Sequence, residues 1–215
     1  MASTLIHYAI SNRILEKIHV KDKFLFLMGA SVGPDASSHD DGSYNIAHFG
    51  ERTENKKGIN WLVFANEYQT NILSNDFLIG YYCHLIQDAV WFHDIVDKYV
   101  RCFKGDERKA LYQMGYRDYV RLNYLLTKKY EINSFEFRDF EIPVKEITKE
   151  KMNISIDNFK IWFAANSCEE NDLELYHWDV IEEYIEKCIS ICVLELDLLF
   201  EKKKGLEPES LYVHI

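Results

Sequence analysis

Gly80-Tyr81-Tyr82-Cys83-His84-Leu85-Ile86-Gln87-Asp88-Ala89-Val90-Trp91 sits in a long apolar-periodic run, and its reading decides the fold. Such a run reads as the middle of a buried helix. His84 and Asp88 are four apart, so on a helix they lie one above the other on a single face. An imidazole and a carboxylate so placed can hold a divalent metal if other segments supply the missing ligands. The competing reading is a buried His–Asp hydrogen bond that only stabilises a core.

Outward from that stretch, Asn75 caps the central helix, which is expected from Asp76 to about Phe103. Ser3 or Thr4 caps a first helix running to about Ile18, with His7 in its first turns. Phe24 to Ala30 is a short buried element. It ends at the breaker-rich loop Gly33-Pro34-Asp35-Ala36-Ser37-Ser38-His39-Asp40-Asp41-Gly42-Ser43, with His48 at its exit. Loops this polar are where functional groups gather. A helix is expected from Lys57 to about Leu73, another capped by Asp106 and running to about Lys129, a short one from about Asn158 to Ala165, and a last from about Leu173 to Lys204. Tyr112, Tyr116, Tyr119 and Tyr124 read as half-wet core, not as a platform for stacking bases. Tyr130 to Ser155, with Phe135, Phe137, Phe140, Ile142, Val144 and Pro143 among charges, reads as an irregular insertion. Many long helices and almost no alternating pattern predict a single all-α domain over residues 1–215, a helical bundle.

Composition narrows the function. The chain has 215 residues, a net charge of -10, 47% hydrophobic and 14% aromatic residues. That suffices for a core and argues against general nucleic-acid binding or docking on anionic lipid. The five cysteines (Cys83, Cys102, Cys168, Cys188 and Cys192) form no CxxC pair, which speaks against a disulfide framework. The start of the chain has no signal-peptide pattern, and no window approaches about 18 uninterrupted apolar residues, so neither export nor a membrane span is expected. The expectation is a protein of the reducing cytoplasm.

Five groups stand out: His7, Asp35, His48, His84 and Asp88. Three imidazoles and two carboxylates suit zinc, or another divalent transition metal, and Asp88 can bridge two ions. His39 and His93 are further candidates, although His39 beside Asp40 and Asp41 also reads as a solvated loop residue.

In order, Thr4-Leu5-Ile6-His7, Gly29-Ala30-Ser31-Val32-Gly33-Pro34-Asp35, Ala47-His48-Phe49 and Phe77 through Asp88 resemble the zinc-dependent phospholipase C family, an all-helical fold related to the S1/P1-type nucleases. The resemblance covers about the first 95 residues. It implies that Asp35, His48, His84 and Asp88 surround one zinc, and that His7 and Asp88 face a second. It also implies that a zinc-activated water attacks the phosphorus of a small phosphate-ester substrate, with Asp35 and Asp88 in the catalytic machinery. Two departures matter. Secreted phospholipases of this kind offer the amine of a mature N-terminal Trp as a ligand, whereas this chain begins Met1-Ala2. Their third ion needs a His beyond the central-helix His and a downstream His-x-x-x-Glu. Here His93 is the nearest candidate, and on a straight helix it points away from His84. His177 is followed by Ile181, with Glu182 one place late. A reduced site of one or two ions is therefore expected. Two other readings remain open: a catalytically reduced metal-binding or interaction protein on the same fold, and an HD-type phosphohydrolase built on His93-Asp94.

Overall fold

The computed structural model describes residues 2–132, 136–162 and 168–215. At its centre is α5 (Asp76–Trp91), in which every residue from Phe77 to Trp91 is buried. A helix apolar all round must be enclosed on all sides, and α1 (Thr4–Leu15), α2 (Lys23–Ser31), α4 (Trp61–Glu67) and α8 (Trp178–Phe200) enclose it. The cap is Asn75, whose Oδ1 accepts from the backbone N–H groups of Phe77 and Leu78. The bundle is completed by α3 (Ser43–Ala47), α6 (Gly105–Lys129) and α7 (Lys149–Trp162). The expected all-α class is what the structure shows.

The most intimate packing is between α2 and α5, and two glycines make it possible. A Cβ on Gly80 would lie 2.0 Å from the carbonyl oxygen of Phe26, and one on Gly29 would lie 2.0 Å from that of Phe77. Each helix thus presses its backbone into the gap left by the other's missing side chain. On the opposite side, Tyr82 of α5 and Trp61 of α4 both donate to Oε2 of Glu195 on α8 (2.7 and 3.1 Å), and the Leu206 N–H donates to Oε1 (2.6 Å). Glu195 is almost fully buried, and these three donors are what make a carboxylate tolerable there.

Several boundaries depart from the sequence expectation. The first helix stops at Leu15, short of Ile18. Lys56–Ile59 is not the start of a helix but strand β2, pairing antiparallel with β1 (Gly50–Arg52) and with β3 (Val213–His214). Asn60 then caps α4 by accepting from the Val63 N–H, so that helix begins at Trp61 and ends well before Leu73. The central helix does not run unbroken to Phe103, because Phe92–Arg101 widens into a π-helix. Lys104, not Asp106, sits at the cap position of α6, and Asp106 lies in its first turn beside Lys109. α7 begins at Lys149, nine residues before the expected start, and buries Met152, Ile156 and Phe159. The last three residues of the expected helix, 163–165, lie outside the described residues, as does Phe135. Within the expected insertion, residues 136–148 are irregular, and Val144 and Ile147 are buried against the core. The last helix begins at Trp178, not Leu173, because the buried Asp118 carboxylate accepts the N–H groups of Glu174, Leu175 and Tyr176 and holds them in a non-helical turn. It ends at Phe200.

All five cysteines are free. Among the described residues no helix is long and apolar enough to cross a membrane.

Two substitutions test this packing. Gly80→Ala has no room to relax, because its obstacle is backbone, and it is expected to cost about 3 kcal/mol in a urea titration; a loss below about 0.5 kcal/mol would disprove the close approach. Glu195→Gln keeps the shape but turns an amide NH2 toward groups that themselves donate, and is expected to cost about 1–3 kcal/mol in the same measurement.

Candidate metal centre

Four segments converge beside the middle of α5. His84 and Asp88 come from α5 itself, His7 from α1, Asp35 from the turn after α2, and His48 from the residue closing α3. His48 is anchored through α5, since the Tyr81 hydroxyl donates to the carbonyl of Ala47 at 2.6 Å. The Nε2 atom of His48 lies 3.4 Å from Asp35 Oδ1 and 3.4 Å from Asp88 Oδ2. That of His84 lies 3.6 Å from Asp35 Oδ1 and 3.9 Å from Asp88 Oδ2. His7 Nε2 lies 3.4 Å from Asp88 Oδ1. One ligand atom each from Asp35, His48, His84 and Asp88 falls within 4.8 Å of all the others.

The outward-facing nitrogens settle the tautomers. Each imidazole meets an oxygen acceptor at Nδ1: His7 the Gln87 Oε1 (2.9 Å), His48 the Tyr44 carbonyl (3.0 Å) and His84 the Ala30 carbonyl (2.9 Å). An amide or carbonyl oxygen only accepts, so Nδ1 must carry the proton and donate. In the neutral ring, Nε2 is then left with a lone pair. Those three Nε2 atoms, together with Asp35 Oδ1 and Asp88 Oδ2, are buried and have no hydrogen-bond partner. Lone pairs facing carboxylates across 3.4–3.9 Å repel one another unless something positive stands between them. The spacing suits a cation: bonds of about 2.0–2.1 Å to a tetrahedral ion set its ligands about 3.3 Å apart.

Electrostatics agree. Burial alone raises a carboxylate's pKa, yet Asp35 is held well below the ordinary range by His84 and His48, and Asp88 likewise by His48 and His7. Burial lowers the pKa of His48, but the two carboxylates outweigh it and push it up to about 9. His84 is lowered, chiefly by burial and then by His7. Without an ion, one proton on His48 is the least costly way to compensate two buried carboxylates. An ion supplies the same positive charge more fully.

Sequence reasoning named the five residues but missed the groups that aim them. Gln87 holds His7 and is itself bridged to Ser11 Oγ (3.3 Å), while the Ala2 N–H donates to Asp88 Oδ1 (3.2 Å). Gln87 was detectable as a polar residue inside an apolar run; the Ala30 and Tyr44 carbonyls leave no trace in the sequence. His39 is not brought into the cluster: it is exposed and stacks on Tyr44, which in turn stacks on His48. His93 is not brought in either. Its Nδ1 bonds Asp94, which also pairs with Lys98 and Lys187, so the His-Asp doublet is part of a surface ion-pair network and gives no support to an HD-type site. His177 is exposed, and Glu182 pairs with Lys129.

Of the five, only Asp35 and His48 line a cavity of about 840 Å³, which is walled on one side by Tyr112, Tyr116, Tyr119 and Tyr176. The tyrosines expected to be half-wet core are therefore largely cavity wall. The Asp35 side chain is 11% exposed and that of Asp88 0%, so the two carboxylates occupy different positions relative to solvent.

A model of the zinc dependent phospholipase C family matches residues 6–191, and the chain belongs to that family. The match extends well past the first 95 residues, through most of α8. No curated protein and no solved structure matches the chain. The family's zinc fits the His/Asp cluster, and its phospholipase C chemistry implies a phosphoester substrate.

If Gln87 fixes the His7 tautomer for an ion, Gln87→Leu is expected to weaken zinc binding about 10- to 100-fold in a chelator-competition titration. An unchanged affinity would show that the Gln87–His7 bond serves packing only.

Proposed function

We propose that this chain is a zinc-dependent hydrolase of phosphate esters. The observation that carries the reading is the convergence of three imidazole Nε2 atoms and two carboxylate oxygens, all buried and all without a hydrogen-bond partner. Asp35, His48, His84 and Asp88 would hold one zinc, with His7 and Asp88 facing a second. Bound there, zinc would supply Lewis acidity toward the phosphoryl oxygens and lower the pKa of a bound water toward neutrality.

The protein's own groups have distinct tasks. Asp35 is the carboxylate of the cluster that reaches the cavity, so it is placed to accept a hydrogen bond from the attacking water and to orient that water toward phosphorus. Asp88 is sealed from solvent and held by the Ala2 N–H, and its two oxygens face different histidines: Oδ1 toward His7, Oδ2 toward His48 and His84. That division suits a bridging ligand. Gln87 and the Ala30 and Tyr44 carbonyls keep the three Nδ1 protons in place, so the Nε2 lone pairs remain directed inward.

Metal analysis after zinc supplementation is expected to give at least one equivalent. Less than about 0.2 equivalents would overturn the reading, because such clusters bind tightly. Asp88→Asn is expected to keep its helical circular dichroism, lose the bound zinc and lose hydrolysis of bis-p-nitrophenyl phosphate by on the order of a hundredfold or more. A zinc-loaded wild type inert toward bis-p-nitrophenyl phosphate and p-nitrophenyl phosphorylcholine would favour a metal-binding protein that keeps the site without the chemistry.

A further inference from the structure

The cavity over Asp35 and His48 has a cationic end. Arg52 closes β1 and faces Lys57 of β2 directly in the ladder, and Arg101 ends the π-helix beside them; all three line the cavity. Elsewhere Arg13, Arg117, Arg121, Lys151 and Lys187 each have a carboxylate partner. Arg52, Lys57 and Arg101 have none among the described residues, and Arg101 has only the face of Phe92 (5.1 Å). Glu51, which lines the same cavity next to Arg52, is already engaged by Asn60 Nδ2 and by the Tyr212 hydroxyl. Behind them, Arg108 is spent on the carbonyls of Arg101 and Phe103. The crowding is felt by Lys57, whose pKa is lowered by partial loss of water and then by Arg101, Arg52 and Arg108.

Like charges gathered on a concave wall raise the energy of the empty protein and focus a positive potential into the cavity. Among the described residues no carboxylate pairs with them. The carboxylates of the metal cluster cannot account for them, because with zinc bound Asp35 and Asp88 are matched by the ion between them.

We propose that the substrate carries a second anionic group, a phosphate or carboxylate on the part of the molecule beyond the scissile phosphoester, and that Arg52, Lys57 and Arg101 bind it. This rests on the reading of the cavity as the substrate site. It selects against a zwitterionic head group such as phosphorylcholine, whose ammonium would be repelled.

The test is calorimetric titration of the full chain, zinc-loaded and chelator-stripped, with glycerol 3-phosphate, phosphorylcholine and inositol 1,4-bisphosphate. The bisphosphate is expected to bind on the order of tenfold tighter than either monoester in both states. Its advantage should shrink as NaCl rises from about 0.05 to 0.5 M. In Lys57→Gln/Arg101→Gln, checked for unchanged circular dichroism, the ratio is expected to fall within about twofold of one. A parallel arm with dihexanoyl phosphatidylinositol 4-phosphate separates the sources: tighter binding than the soluble bisphosphate assigns the anion to a lipid head group, weaker binding to a free metabolite. Should the double variant not fold, the salt dependence of the wild-type ratio decides. Phosphorylcholine binding as tightly as the bisphosphate, a ratio insensitive to salt, or a ratio that survives the substitutions overturns the proposal. The stripped protein reports the cationic end alone, so failure to bind zinc or to hydrolyse esters, which would end the hydrolase reading, leaves this result readable.

Discussion

The backbone contact between α2 and α5 is the constraint on which the site depends. Without side chains at Gly29 and Gly80 the two helices approach until carbonyls fill the gaps, and that approach brings the Ala30 carbonyl to His84 Nδ1. One turn earlier in α5, Tyr81 reaches across to Ala47 and fixes the neighbouring His48, and three residues after His84, Gln87 receives His7. The central helix therefore contributes two of the five clustered groups and steers two others. A shift of α2 by the width of a methyl group would disturb His84 directly, and Asp35 also, since it follows α2 in the chain. Packing and chemistry are not separable here: the same two glycines govern both.

Charge accounting explains why such a site can exist in an apolar core. A buried ionised carboxylate without a partner is costly enough that it ordinarily neutralises by shifting its pKa upward. Here both carboxylates shift the other way, because imidazoles surround them. Glu195 and Asp118 solve the same problem differently: each is buried and each is satisfied by donors, three N–H or O–H groups for Glu195 and a turn of backbone N–H groups for Asp118. The contrast is informative. Where the structure uses a carboxylate as scaffolding it supplies enough donors, and where it leaves acceptors facing one another it leaves a place that a cation fits.

Much of this was legible in sequence and some was not. The α5 stretch announced itself because an apolar run with an i,i+4 His–Asp pair and an Asn at its head leaves few alternatives to a capped, buried helix. The order of His7, Asp35, His48, His84 and Asp88 carried the family resemblance before any geometry was known. What escaped was set by contacts distant in sequence. Lys56–Ile59 has no strand pattern of its own and becomes β2 only because Gly50–Arg52 and Val213–His214 pair with it. The start of α8 is fixed by Asp118, which lies on α6, so no local signal near Leu173 could reveal it. The cationic end of the cavity is likewise assembled from a hairpin and a π-helix that are distant from one another in the chain.

The departures from the family pattern acquire a physical sense from the same contacts. Where the resemblance implies ligands for a third ion, His93 and Glu182 are instead engaged in ion-pair networks that link helices, and His177 is exposed. His93 and Asp94 are tied to Lys187 of α8, and Glu182 of α8 is tied to Lys129 of α6. A carboxylate held by a lysine ammonium is a poor ligand, since binding a metal would strand the lysine and forfeit the bond between helices. The π-helical widening of Phe92–Arg101 belongs to this arrangement: it leaves Asp94 within reach of α8 and sets Arg101 at the cavity rim. In this chain the segment following the central helix closes a seam and furnishes a cation, and the side chains that could hold a metal are concentrated in the buried cluster beside His84 and Asp88.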